Sequence, residues 1–127
     1  MMGPMGFVAV GVGAAVGAWL RWFFSVTWNA INPALPYGTL ASNLVGGYLI
    51  GLAVAFFETH PSLPPEWRLL AVTGFLGGLT TFSTFSSEVI ANLMAGDYRW
   101  AMLHLAMHLG GSLLLTAFGI WSYRALA

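Results

Sequence analysis

Cysteine is absent from the 127-residue chain, which excludes disulfides and thiolate metal sites together. Lysine is absent as well, and only 6% of residues are charged, against about 25% in a soluble domain. Four basic residues balance four acids to a formal net charge of zero, so the electropositive footprint of a nucleic-acid-binding protein is missing and no nucleic-acid partner is expected. The N-terminal MMGPMGFVAV has no basic region, and its apolar run passes beyond the core of a signal peptide without a convincing cleavage site. The first hydrophobic segment is therefore expected to be retained. No nucleophile, base and orienting group stand at a recognisable spacing, so an enzyme is not expected.

What the chain has in abundance is apolar surface: 58% of residues are hydrophobic, 15% are aromatic, and 16 are glycine. Interfacial aromatics combined with glycine are the composition of transmembrane helices that pack backbone to backbone. A span needs about 20 mostly apolar residues, and turn residues divide the chain into four such segments, at about 5–28, 37–57, 68–94 and 99–123. Asn29, Pro33 and Pro36 mark the first connection, ETHPSLPPE (58–66) the second and AGDYR (95–99) the third. The apolar runs do not alternate as barrel strands would, and an open sheet would leave backbone groups unpaired in hydrocarbon. The expected fold is an all-α membrane protein, a single four-span domain over residues 1–127 with no internal repeat.

Four spans place both termini and the 58–67 connection on one side with Arg68 and Arg124, and the other connections opposite them with Arg21 and Arg99. The acids divide evenly too, Glu58 and Glu66 against Glu88 and Asp97. Orientation follows the basic residues near span ends, and here they tie. The tie predicts insertion in both senses. Two oppositely inserted copies would make an antiparallel homodimer, with the inverted symmetry that larger transporters build within one chain. Small residues four apart, at Gly13/Gly17, Gly47/Gly51 and Gly74/Gly78, predict close approach of helices.

A central charge in a membrane costs about 2.5–3.5 kcal/mol, so each polar group within a span is a functional candidate. Arg21 lies late in the first span, where it can snorkel to the interface or attract anions. Asn43, in TLASNLVGG, sits near mid-span and needs partners, either as glue between helices or in a polar pathway. His104 and His108 stand at i and i+4, a spacing that suits zinc. Neither a carboxylate nor a third ligand accompanies them in sequence, which favours packing or hydrogen-bond donation. Ser112 and Thr116 continue the same face.

The densest polar interruption is GFLGGLTTFSTFSSE, residues 74–88. Gly74, Gly77 and Gly78 each weaken a helix by about 1 kcal/mol relative to alanine, and Thr80 and Thr81 follow at once, so the third helix is expected to break near its middle. Carbonyls freed there are tolerated only where protein, water or an ion satisfies them. Beyond the break, helical geometry puts Thr81, Thr84 and Glu88 on one stripe and Phe82 and Phe85 on another. Two phenylalanines three apart are ordinarily packing. Beside so many hydroxyl donors, however, their electropositive ring edges could coordinate a small anion. A cation path would want acidic rings or carbonyls throughout, and Glu88 alone is available.

GFLGGLTTFSTFSSE, together with NLVGGYLIG in the second span and WLRW in the first, resembles the Fluc (CrcB) family of bacterial fluoride channels over the whole chain. The resemblance implies a dual-topology antiparallel homodimer in the lipid of a bacterial plasma or inner membrane. It implies passive export of fluoride through two pores, and a structural sodium ion at the dimer centre. Position by position, it implies sodium held by the backbone carbonyls of Gly77 and Thr80, and a fluoride pathway of Asn43, Phe82, Phe85 and Ser112. Thr81, Thr84 and Glu88 accompany that pathway, and Arg21 falls in its vestibule. His104 stands where the family pattern has a phenol and is carried with the pathway; His108 stands where the pattern has a small or hydroxyl residue. The competing expectation is a small dual-topology, proton-coupled multidrug exporter, which wants a central membrane glutamate, whereas Glu88 lies near a helix end. A non-transporting scaffold would explain the glycines but not the polar load of the third span.

Overall fold

The computed structural model describes residues 3–127, and the regular structure among them is entirely helical. Proline opens two helices at the position where its missing N–H is unneeded: α1 (Pro4–Trp28) begins on Pro4 and α3 (residues 65–79) on Pro65. Between them, α2 (Tyr37–Thr59) follows a short 3-10 turn at Asn29–Ile31, which Asn29 ties to the helix by accepting the Thr39 N–H at 3.0 Å. α3 passes through a wider i→i+5 segment, Leu69–Leu76, and one α-helical turn, Gly77–Leu79. Thr80 and Thr81 then have extended backbone (φ −84°, ψ 153° and φ −148°, ψ 115°) before α4 (Phe82–Met94) begins. A turn through Gly96, at φ +78°, leads into α5 (Tyr98–Leu126), which carries a second i→i+5 segment at Ala106–Gly110.

Four stretches are long and apolar enough to cross a membrane: Pro4–Ile31, Tyr37–Thr59, Pro65–Met94 and Tyr98–Leu126. α1 packs along α3, and α2 along the second half of α5. Glycine sets both contacts. A β-carbon on Gly17 would run into the Phe75 carbonyl, and one on Gly51 into the Thr116 carbonyl, so alanine at either position would force the helices apart. The four-residue glycine spacing is thus a packing device within the chain.

Little apolar surface is enclosed, since between 11% and 33% of each apolar window is buried, and Phe7, Trp22 and Trp121 face outward. The interior mixes leucines, Phe85 and Val89 with polar groups, and of the largest fully buried side chains, Leu79, His104, Thr39 and Ser42, three are hydrogen-bonding groups. A membrane inverts the usual segregation, because hydrocarbon solvates leucine and tryptophan well and amides and imidazoles badly.

Candidate functional site

The site is built where α3 gives way to α4. In a continuous helix the Thr81 N–H would donate to the Gly77 carbonyl and the Thr84 N–H to the Thr80 carbonyl. Here the Thr81 N–H donates to Asn43 Oδ1 at 2.8 Å, and the Thr84 N–H to Thr81 Oγ1 at 3.1 Å. The Thr80 N–H and hydroxyl both go to the Leu76 carbonyl, at 3.0 and 2.8 Å, while the Gly78 carbonyl accepts from Arg21 Nε at 2.9 Å. Gly77 and Thr80 are thus among the carbonyls at the junction whose helical donors have gone elsewhere. These oxygens fit a hard monovalent cation, which backbone carbonyls can strip of water. Gly77 is also open, for a β-carbon there would meet only the Val72 carbonyl at 3.7 Å.

Thr81 stands apart from the helical stripe expected for it with Thr84 and Glu88. Its backbone is extended, and its side chain caps α4, a role that threonine favours because its oxygen can accept an orphan N–H. Arg21, half-buried, donates to the end of α3, where a cation complements the negative end of a helix.

Asn43 clamps the other side of the junction. Its Oδ1 takes the Thr81 N–H and its Nδ2 donates to the Thr81 carbonyl at 3.1 Å, which fixes the two ends of the amide. The same Nδ2 faces His108 Nδ1 at 3.0 Å. His108 Nδ1 must therefore accept, and the neutral ring carries its proton on Nε2. Asn92 repeats the device on His104, donating from Nδ2 to the Ala34 carbonyl and to His104 Nδ1, both at 3.1 Å. His104 Nε2–H then donates to Glu88 Oε1 at 3.0 Å, and the Thr39 hydroxyl to Glu88 Oε2 at 2.7 Å. Two donors, the Thr39 hydroxyl and His104 Nε2–H, thus converge on Glu88.

Three rings cluster in the interior: Phe85 lies on His108 at 4.6 Å and 27°, His108 on His104 at 5.0 Å and 24°, and Phe85 tilts against His104 at 6.0 Å. Phe82 meets Phe85 edge-on at 5.6 Å, yet Phe85 is 4% exposed and Phe82 73%. A groove of about 500 Å³ runs past them, walled by Asn43, Phe82, Phe85, His108, Ser112 and Thr116, with Gly77, Thr80 and Thr81 at the junction. The i→i+5 segment of α5 helps to align this wall. Four-residue steps along an α-helix drift by about 40° each, and the wider turn at Ala106–Gly110 offsets part of that drift, keeping His108, Ser112 and Thr116 on one groove.

Seven of the expected residues therefore meet in one groove: Asn43, Gly77, Thr80, Thr81, Phe82, Phe85 and Ser112. Glu88 and His104 join each other beyond Phe85, and Thr84 hangs from the Thr81 hydroxyl at 3.1 Å. Thr39 and Asn92, which complete the Glu88 network, carry no signal in the sequence beyond being polar in apolar surroundings. The carboxylate missing beside the histidine pair is Glu88, contributed by α4: it brings a ligand atom within 4.8 Å of His104 and His108. A metal on Nε2 would need each Nδ1–H to donate outward to an acceptor. Both Nδ1 atoms face amide donors instead, so the surroundings are polarised against zinc.

Four membrane-crossing helices, three of which line a groove that sets an amide, hydroxyls and an imidazole among apolar side chains, define a small multi-pass membrane protein. The profile described as CrcB-like protein, Camphor Resistance (CrcB), matches residues 8–120, and the chain belongs to that family. It is 82% identical over 126 residues to the fluoride-specific ion channel FluC of Cupriavidus necator, covering 99% of this chain and 100% of that one. The FluC protein of Cupriavidus taiwanensis is equally similar, at 82% over 126 residues and the same coverage. FluC of Burkholderia pseudomallei strain 668 is 58% identical over 118 residues, covering 93% of this chain and 92% of its own.

Proposed function

We propose that this protein is a passive, fluoride-selective channel of the bacterial plasma membrane that lets fluoride leave the cytoplasm. The observation that carries the proposal is the 82% identity, end to end, to proteins named fluoride-specific ion channels. Hydrogen fluoride crosses bilayers and dissociates at neutral pH, trapping the anion inside, so a passive exit is enough. Fluoride is small and strongly hydrated, and replacing its water requires closely spaced donors. The Ser112 hydroxyl and the ring edges of Phe82 and Phe85 lie along one groove and are of that kind, while the Asn43 amide and the Thr116 hydroxyl, whose hydrogens are taken by protein acceptors, hold its wall in place. Thr81, Thr84, Glu88 and His104 support its walls, and Arg21 lies towards its vestibule.

The functional unit is an antiparallel dual-topology homodimer with two pores and a third helix broken at Thr80 and Thr81. The balanced arginines, the open backbone at Gly77 and the outward Phe82 ring support this reading. Gly77 and Thr80 of each copy would hold a sodium ion on the symmetry axis. Such an ion supplies a fixed positive charge and ties the two copies together. A proton-coupled exporter would need its glutamate available to substrate, and both oxygens of Glu88 are engaged by Thr39 and His104.

The test is efflux from liposomes followed with ion-selective electrodes. Fluoride should leave rapidly and chloride should be retained; equal loss of both rejects selectivity. Phe82→Ile or Phe85→Ile should cut fluoride flux without loss of assembly, and unchanged flux would assign both rings to packing.

A further inference from the structure

We infer that His108 is an anion-binding residue of the groove, and that Asn43 acts on the anion partly through it, as a positioning residue that holds the ring in its Nε2–H form. This deepens the fluoride-channel reading and rests on it. Three observations converge. His108 is 3% exposed and forms part of the groove wall, yet its Nε2 has no hydrogen-bond partner among the described residues. A buried donor without an acceptor is destabilising, so the position favours whatever acceptor can reach it. Second, the amide that faces Nδ1 is polarised by its two bonds to the Thr81 backbone, so a proton on Nδ1 would meet another N–H. Third, Phe85 and His104 both pack against the ring, at 4.6 and 5.0 Å, with 6.0 Å between their own centroids, and so restrict the directions from which an acceptor can come. Nε2 is itself enclosed, so an acceptor that reaches it from the groove meets a donor with no competing water.

The two histidines consequently differ in kind. His104 spends its Nε2–H on Glu88 at 3.0 Å, whereas the N–H of His108 is uncommitted among the described residues. A neutral N–H also suits conduction better than a fixed cation would, because an anion must bind well enough to lose water and weakly enough to move on.

Protein labelled with 15N-histidine, in detergent micelles, should show an unprotonated Nδ1 and a protonated Nε2 for His108. Sodium fluoride should shift that Nε2–H and couple it to 19F through the hydrogen bond, while sodium chloride leaves it unmoved. In liposomes, His108→Leu should lower fluoride efflux about tenfold or more, the scale of one hydrogen bond to a charged group. His108→Gln, which keeps an N–H donor and an acceptor for Asn43, should recover part of it. The assignment is overturned by an Nε2 signal indifferent to fluoride, by an equal response to chloride, or by a folded His108→Leu protein with wild-type flux. If the wild-type protein passes no fluoride, the channel reading falls, and the titration still decides whether His108 binds the anion.

Discussion

Asn43 shows how much one carboxamide can organise. Three hydrogen bonds join it to both backbone groups of Thr81 and to His108, which lie 38 and 65 positions away. Asn43→Leu would strand the Thr81 N–H and carbonyl together, and a stranded buried polar group costs about 1–3 kcal/mol. The expected outcome is a lowered Tm in detergent alongside a severe loss of fluoride flux. Glu88→Gln probes the neighbouring network differently. The carboxylate accepts from His104 and from Thr39, so an amide presents an NH2 to one of two donors. Destabilisation of about 1–3 kcal/mol should follow, and an unchanged Tm would mean that the network contributes nothing to the fold.

At the scale of the element, two glycines of similar appearance in the sequence do different work. Gly51 lies so close to the fourth span that a β-carbon meets the Thr116 carbonyl, whereas Gly77 has only ordinary contact at 3.7 Å. Gly51→Ala should therefore lower stability by about 1–3 kcal/mol, the usual range for overpacking. Gly77→Ala should leave the protomer folded with an almost unchanged Tm, as read by circular dichroism. The start of α4 offers a gentler perturbation. Thr81→Val removes the oxygen that receives the Thr84 N–H and should destabilise by about 1 kcal/mol, while Thr81→Ser, which keeps the cap, should be close to neutral.

At the scale of the whole molecule, the decisive property is the arginine tie across the two sides of the membrane. Added arginines in the connection at residues 60–64 should lock insertion one way, and added arginines at 95–97 the other. Under the dual-topology reading, either locked protein alone should fail to restore growth of a fluoride-sensitive strain, and co-expression of the two should restore it. Full activity of one locked form by itself would overturn that reading.

Much of the architecture is legible in the sequence because its causes are local. A helix that crosses hydrocarbon must be apolar along its own length, and helices that touch closely must carry small residues at helical spacing, so four long apolar helices and the tight Gly17 and Gly51 contacts could be anticipated. The gathering of Asn43, Phe82, Phe85 and Ser112 in one groove follows the pattern carried by GFLGGLTTFSTFSSE and its companions. Hydrogen-bond partnership is a different kind of fact. Asn43 with Thr81, Asn92 with His104, and Glu88 with Thr39 are joined across helices, and spacing within one helix says nothing about the face it meets. Which nitrogen of each histidine carries the proton was decided only by tertiary packing, because an imidazole takes its tautomer from the groups brought against it.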